Sequence, residues 1–227
     1  MLNLMLLTLL AAGPASAQED WTCKDYATDP SLLTEFEAAA SIGSLSQEQQ
    51  DCLEKNISAA EEQTTKGKMS RVLLVNAYAY DTFMWSKLVE RHLDEIDQSD
   101  PDVAYLYSFY LYNRPLSPKF EESIRWTEVA LERKQIWEGD TYVKRVSQLM
   151  KVRAMAAAKL WKGAAEVGNK EEAEKQRLRT KTFAREWIEY RKSATLDSTQ
   201  AELLCISAAG AAACAISDDS EGEDGGE

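Results

Sequence analysis

Histidine is almost absent from this sequence, which contains only His92 among its 227 residues. A single imidazole excludes most arrangements of a nucleophile with a general base. The chain also lacks the GxSxG, HExxH, GxxxxGK[ST] and GxGxxG patterns and the EF-hand spacing, which mark common catalytic, nucleotide-binding and calcium sites. We therefore expect no catalytic residues and no cofactor, although a pair of Asp and Glu side chains would leave no local signature.

His92 lies between Glu90 and Asp94 in a stretch with helical apolar periodicity. We expect an ordinary helix residue there, exposed or partly buried. The sequence also lacks the CxxC and CxxH spacings of zinc sites, and His92 is far along the chain from every cysteine. We therefore expect no metal site.

Long apolar runs are absent as well, because no run after the first residues reaches the ~18 residues that a bilayer span requires. The first 17 residues, MLNLMLLTLLAAGPASA, form a short apolar run that ends in Pro14 and a small-x-small triplet. This pattern predicts a signal peptide that is cleaved before Gln18, although it lacks Lys and Arg at its start. The expected location is periplasmic or extracellular.

The chain has four cysteines, an even number that favours pairing in an exported protein. Three connectivities exist, and we expect the local one, Cys23 with Cys52 and Cys205 with Cys214. On one straight helix, Cys205 and Cys214 would be about 13 Å apart. That is too far for a disulfide, so the second pair requires a turn at Gly210.

Helix signals occur throughout the chain, whereas strand signals are scarce. The stretch from 104 to 113, AYLYSFYLYN, fits a strand by alternation and a helix by three- and four-residue spacing. The preceding Asp100-Pro101 favours a helix, because Asp suits an N-cap and Pro suits the first helical position. Ser117-Pro118 and Asp140 suggest two further helix starts. We expect an all-α protein of antiparallel helical hairpins.

Composition divides the chain into five predicted segments. A signal peptide covers 1–17, and an N-terminal helical segment with two cysteines covers 18–66. A helical-repeat domain covers 67–195, and an apolar C-terminal helix with the other two cysteines covers 196–216. The last segment, 217–227, holds six acidic residues and three glycines and no large apolar side chain. Such a composition predicts a disordered tail.

The stretch FEESIRWTEVALER resembles the second helix of a tetratricopeptide repeat. Phe120, Ser123, Ala130 and Leu131 stand where that family places aromatic, small, small and aliphatic residues. Asp100-Pro101 is similar to the end of a repeat, Ser108 stands where the family favours glycine, and GNKEEAEK is similar to a turn and second-helix start. The predicted helices at 141–167 and 170–194 are longer than the usual unit of about 34 residues allows.

This resemblance covers about residues 69 to 195 and implies a short tetratricopeptide-like α-solenoid. In such a solenoid the first helix of each pair lines the inner surface. The resemblance therefore implies that Tyr78, Tyr80, Tyr105 and Tyr112 face a groove that binds a partner. Tyrosine suits this role because it offers apolar area and a hydrogen bond at little entropic cost.

Charge is distributed unevenly along the chain. Residues 141–192 carry a net charge of +8, the remainder carries −20, and the total is −12. Basic residues on such helices either form a solvated face or attract an acidic partner, including the chain's own tail from Asp218 onward. The candidate anchoring residues are Lys144, Lys151, Lys159, Arg177 and Arg185. A nucleic acid is not an expected partner of an acidic exported protein.

Two functions follow from these observations. The first is an exported, non-catalytic scaffold or adaptor that binds a protein or peptide, and known tetratricopeptide-like proteins outside the cytoplasm suggest a partner in an envelope assembly. The second is a helical domain that binds or hydrolyses a small molecule in an interior pocket lined by aromatic residues. An open curved surface would favour the first, and a deep enclosed cavity would favour the second.

Overall fold

The computed structural model describes residues 21–80 and 82–214, without the side chains of Tyr80 and Thr82. All regular elements within these ranges are helical, which confirms the all-α prediction. None of these helices combines the length and the hydropathy of a bilayer span. The predicted signal peptide, residues 1–17, and the predicted acidic tail, 217–227, lie outside the described residues.

Nine α-helices are found in the described part of the chain. Their bounds are α1 Glu37–Ser41, α2 Gln47–Ala59, α3 Gln63–Tyr80, α4 Thr82–Arg91, α5 Pro101–Asn113, α6 Phe120–Glu132, α7 Gly139–Glu166, α8 Lys170–Ser193 and α9 Thr199–Ala209. Short 3-10 helices cover Pro30–Phe36, Lys134–Ile136 and Ala211–Ala213, and a π-helical turn covers His92–Ile96.

The chain divides into two compact units, with the boundary between Asn76 and Ala77. This boundary lies within α3. The predicted segment boundary between residues 66 and 67 lies in the same helix, ten residues earlier.

Hydrogen bonds of Asn56 connect the start of the first unit to α2. Its amide nitrogen donates to the carbonyl oxygens of Cys52 at 2.9 Å and Lys24 at 3.2 Å, and its Oδ1 accepts from the backbone nitrogen of Ala27 at 3.1 Å. The disulfide between Cys23 and Cys52 closes the same junction, with 5.7 Å between the Cα atoms. Asn56 opens an Asn-Ile-Ser glycosylation sequon, and its buried amide is thus occupied by structural hydrogen bonds.

A capping box starts α2, as Ser46 with Gln49 three residues later predicts. Ser46 Oγ accepts from the backbone nitrogen of Gln49 at 3.2 Å, and Gln49 Oε1 accepts from the backbone nitrogen of Ser46 at 2.8 Å. Two orphan donors of the helix start are satisfied in this way. Leu53 of this helix is fully buried, as are Tyr26 and Phe36, whose ring centres lie 5.2 Å apart.

The second unit is a sequence of helices in which each packs on the next. Helix α5 packs on α6, α6 on α7, α7 on α8 and α8 on α9, and α5 also reaches α7. Between α7 and α8 the core contains Ala154, Ala157, Trp187 and Ile188, and the alanines are fully buried. These small side chains allow close approach of the two longest helices.

The stretch from 104 to 113 is helical, because it lies within α5. Asp100 caps this helix by accepting from the backbone nitrogens of Asp102 at 3.0 Å and Val103 at 3.1 Å, as predicted. The aromatic side chains of α5 point in several directions and contact different neighbours. The ring pairs are Tyr105–Trp137, Tyr107–Trp126, Tyr110–Trp85 and Tyr112–Phe120. The aromatic residues therefore pack α5 on several sides.

The prediction for His92 is wrong, because this side chain is fully buried. Its Nε2 lies 2.9 Å from Asp100 Oδ2, so the imidazole joins the π-helical turn to the cap of α5. Helical periodicity did not reveal this contact because Asp100 follows His92 by eight residues and lies on the next helix. A buried imidazole of this kind is held by a hydrogen-bonding partner.

Two predicted helix starts are shifted. Helix α6 starts at Phe120 with Lys119 as its N-cap residue, which makes no side-chain cap, so the predicted start at Ser117-Pro118 is wrong. Helix α7 starts at Gly139, one residue before Asp140. In contrast, Asn169 with Glu172 three residues later is the sequence pattern of a helix start, and Asn169 caps α8 with its Oδ1 accepting from the backbone nitrogen of Glu172 at 3.2 Å.

The C-terminal cysteines are paired across a turn at Gly210. Helix α9 ends at Ala209, and Gly210 has a φ of 81°, which favours glycine. Cys205 and Cys214 are then disulfide-bonded with 5.9 Å between their Cα atoms. Both disulfides follow the predicted local pairing, and such pairs are typical of proteins in oxidising compartments.

We expect Asp100→Ala to lower the free energy of unfolding by about 2–4 kcal/mol, because it removes a helix cap and leaves a buried imidazole without this partner. Asp100→Asn keeps an oxygen for the cap and should cost less. Urea denaturation measures both values. The exposed Asp94→Ala is the control, and an equal loss in Asp94→Ala and Asp100→Ala would contradict the assignment.

Candidate partner-binding surface

Helix α7 is the longest helix described, with 28 residues, and its length is about 42 Å. One side of it is buried, including Val146, Leu149 and Val152. Its solvent-facing side carries residues that recur every three or four positions and therefore lie in one band along the helix. We call this band the lysine stripe; its members are Lys144, Gln148, Lys151, Met155 and Lys159.

The three lysines of the stripe are exposed, whereas Gln148 and Met155 are half-buried between them. Along the helix axis, successive lysines are about 11 and 12 Å apart. In the described residues, no carboxylate lies within ion-pair distance of Lys144, Lys151 or Lys159. The stripe thus presents three positive charges at the surface of an acidic protein.

Other basic residues of α7 are engaged with carboxylates. Arg145 pairs with Asp102 of α5, Arg153 pairs with Glu186 of α8, and Lys162 lies 3.9 Å from Glu166 on its own helix. The two arginines therefore hold α7 to its neighbours, and the lysine stripe does not take part in these contacts.

A cluster of aromatic rings and a guanidinium borders the stripe on its α5 side. Arg145 lies 5.1 Å from the ring centres of both Tyr105 and Trp137. Asp102 accepts from Arg145 and from the indole nitrogen of Trp137, the latter at 2.9 Å. These contacts combine a cation–π arrangement with charge-assisted hydrogen bonds, which fixes the position of α5 against α7.

Tyr105 connects this cluster to the stripe itself, because its hydroxyl donates to Gln148 Oε1. Burial raises the pKa of Tyr105, and the charge of Arg145 opposes the rise. The phenol therefore stays protonated at neutral pH and remains a donor. Phe109 packs against the ring of Tyr105 at 5.1 Å and extends the aromatic border by one helical turn.

A depression of about 430 Å³ opens at the Lys144 end of the stripe. Arg191 of α8 lies at its edge, with Nη1 donating to Ser147 Oγ at 2.8 Å and Nε donating to the carbonyl oxygen of Asp197. Two hydrogen bonds fix this guanidinium before any ligand arrives. The residues that line the depression are Asp140, Val143, Lys144, Ser147, Gln148, Arg191 and Leu196.

The four predicted tyrosines have different surroundings. Tyr78 is 59% exposed, and its ring meets the edge of Trp85 at 5.3 Å. The side chain of Tyr80 lies outside the described residues. Tyr105 borders the stripe, whereas Tyr112 is half-buried against Phe120 and the core between α6, α7 and α8. Tyr112 therefore contributes to packing in this structure.

The five predicted basic residues do not form one patch. Lys144, Lys151 and Lys159 share the stripe on α7, but Arg177 and Arg185 lie on α8. Arg177 pairs with Glu174 and donates to the carbonyl oxygen of Ala208 at the end of α9. Arg185 lines a separate depression of about 420 Å³, in which Glu186 and Glu189 balance the charges of Arg185 and Lys181.

No local pattern in the sequence marks the other residues of this surface, which are Asp102, Trp137, Arg145, Gln148 and Arg191. Asp102 and Arg145 are 43 positions apart. Such pairs form only after the helices pack, so no local spacing reveals them. The one local hint was Asp102, an acidic residue directly after Asp100-Pro101, because acidic side chains are favoured in the first turn of a helix.

Comparisons of the chain with protein-family models, with curated proteins and with solved structures find no match.

Arg145→Ala should lower the free energy of unfolding by about 1–2 kcal/mol, because a half-exposed ion pair and two ring contacts are lost together. Tryptophan fluorescence during urea denaturation measures the change and also reports on Trp137. Lys144→Ala, one residue earlier and without an ion-pair partner among the described residues, should change stability by less than about 0.5 kcal/mol. Equal effects of the two substitutions would contradict a stabilising role for Arg145 between α5 and α7.

Proposed function

We propose that this protein is an exported, non-catalytic helical-repeat scaffold that binds an acidic protein or peptide partner through the lysine stripe. The observation that carries the proposal is the row of three exposed lysines on α7, none of which has a carboxylate within ion-pair distance in the described residues. The partner would belong to an envelope assembly, as the tetratricopeptide resemblance implies.

The order of helix packing in the second unit supports a short solenoid. Each helix from α5 to α9 packs on the next, and α5 also reaches α7, so the first helices of two consecutive hairpins are neighbours. The small residues expected at a hairpin contact are buried there, because Ser123 Oγ donates to the carbonyl oxygen of Ser108 at 2.8 Å. In a tetratricopeptide-like solenoid, α5 and α7 would share the inner surface that binds the partner.

Electrostatics favours an acidic partner for this surface. The chain has a net charge of −12, so most of its surface repels an acidic molecule, and a local positive band would orient that molecule as it approaches. Charge complementarity of this kind contributes to association rate and specificity more than to affinity. The half-buried rings of Tyr105 and Phe109 beside the stripe would supply the apolar contacts that affinity requires.

The two disulfides support export, because structural disulfides persist in oxidising compartments. The predicted signal peptide also favours export. An exported scaffold would meet its partner in the periplasm or outside the cell.

The proposal can be tested by affinity capture from envelope extract with residues 18–227 as bait, followed by crosslinking and mass spectrometry. We expect one envelope protein to crosslink reproducibly at Lys144, Lys151 or Lys159. Failure to retain any partner, with circular dichroism showing a helical bait, would contradict the scaffold.

Reversing the charge of the stripe in Lys144→Glu/Lys151→Glu/Lys159→Glu should weaken capture about tenfold or more, because each surface pair contributes up to about 1 kcal/mol and about 1.4 kcal/mol is tenfold. The loss should be larger at low salt than at about 0.5 M NaCl. The matched control is Lys55→Glu/Lys68→Glu/Lys170→Glu, in which three other exposed lysines receive the same change. Equal weakening by both triple variants would show that only net charge matters.

A further inference from the structure

We propose that the acidic segment of the same chain, residues 217–227, binds the lysine stripe within the molecule and competes with the acidic partner. This inference rests on the proposed function, because it concerns regulation of the same surface. The segment lies outside the described residues and follows the point where the described chain ends.

The described chain ends at Cys214, which is buried and covalently fixed to Cys205 of α9. The end of α9 is itself held to α8, because Arg177 donates to the carbonyl oxygen of Ala208. The exit of the acidic segment is therefore anchored at the level of Arg177 along α8.

Contacts between α7 and α8 show which part of the stripe lies at the same level. The two helices are antiparallel, with Arg153 against Glu186 and Ser147 against Arg191. This register places Arg177 level with about residue 161 of α7. Lys159 is therefore the stripe lysine at the height of the exit, and Lys144 is the most distant one.

The acidic segment is long enough to reach part of the stripe. Helices α9 and α7 both pack on α8, so their axes are at most about 20 Å apart at usual packing distances. Thirteen extended residues after Cys214 span about 43 Å. Lys159 and Lys151 are then within reach of the middle of the segment, whereas Lys144, about 26 Å along the helix axis from the exit, is within reach only of its last residues.

Charge complementarity selects the stripe among the surfaces near the exit. The segment has six acidic residues and no basic residue, and no carboxylate of the described residues lies within ion-pair distance of the stripe lysines. The depression at Arg185 attracts an acidic segment less, because Glu186 and Glu189 balance the charges of Arg185 and Lys181 there. The acidic segment and an acidic partner would therefore bind the same lysines in mutually exclusive complexes.

Tethering makes weak contacts sufficient for this competition. A segment on a short linker has an effective concentration of about 1 mM, so an intrinsic dissociation constant of about 0.1 mM would lower the apparent affinity for the partner about tenfold. High salt should abolish the competition, since the surface charges are screened.

Zero-length carbodiimide crosslinking tests the contact directly, because it joins a carboxylate only to an amine that touches it. We expect mass spectrometry of the monomer to find amide links from residues 218–227 to Lys159 and Lys151, with fewer to Lys144, and their loss at about 0.5 M NaCl. Exposed Lys170 on α8 controls for simple proximity to the exit. Links to Lys170 as frequent as those to Lys159, links only in crosslinked dimers, or no links at all would each overturn the inference.

Removing residues 217–227 tests the competition independently of the proposed scaffold function. If the segment occupies the stripe, the shortened chain should retain the envelope partner about tenfold more tightly than the full chain at low salt. Unchanged capture that still depends on Lys144, Lys151 and Lys159 would overturn the competition and leave the scaffold intact. Capture that never depends on those lysines would contradict the scaffold, whatever the crosslinks show.

Discussion

Close packing of α7 against α8 is the constraint on which the second unit depends. Ala154, Ala156 and Ala157 are fully buried, and they allow the backbone of α7 to approach its neighbours. Once this side of a long helix is fixed in the core, helical geometry fixes which residues face the solvent. Lys144, Lys151 and Lys159 form one exposed band for this reason, without any direct interaction between them.

Two carboxylates, those of Asp100 and Asp102, each interact with two sets of groups and hold α5 in place beside the lysine stripe. Asp100 caps α5 with one oxygen and meets the buried His92 with the other, while Asp102 accepts from both Arg145 and Trp137. Buried and half-buried polar groups are thus satisfied in pairs, which specifies one arrangement of the helices. A firmly held α5 keeps the ring of Tyr105 beside Gln148, so the surface is formed before any partner binds, which lowers the entropic cost of binding.

Local signals predicted much of this structure, and tertiary contacts account for the rest. Asp100-Pro101 identified α5, Ser46 with Gln49 identified the start of α2, and the turn at Gly210 followed from the reach of a disulfide. The burial of His92 and the true start of α6 depend on packing and left no periodic signal. The sequence suggested Lys144, Lys151, Lys159, Arg177 and Arg185 together as anchoring residues, but only the three lysines share one helix, and Arg177 and Arg185 make other contacts on α8.

The most direct test of the account is lysine footprinting of the chain that lacks residues 217–227, alone and with the partner retained from envelope extract. Acetylation rates read by mass spectrometry report how accessible each amine is. We predict that Lys144, Lys151 and Lys159 react readily in the free protein and several times more slowly in the complex, while Lys55, Lys68 and Lys170 react equally in both. Unchanged labelling of the three stripe lysines in a complex that has formed would contradict a partner-binding role for α7.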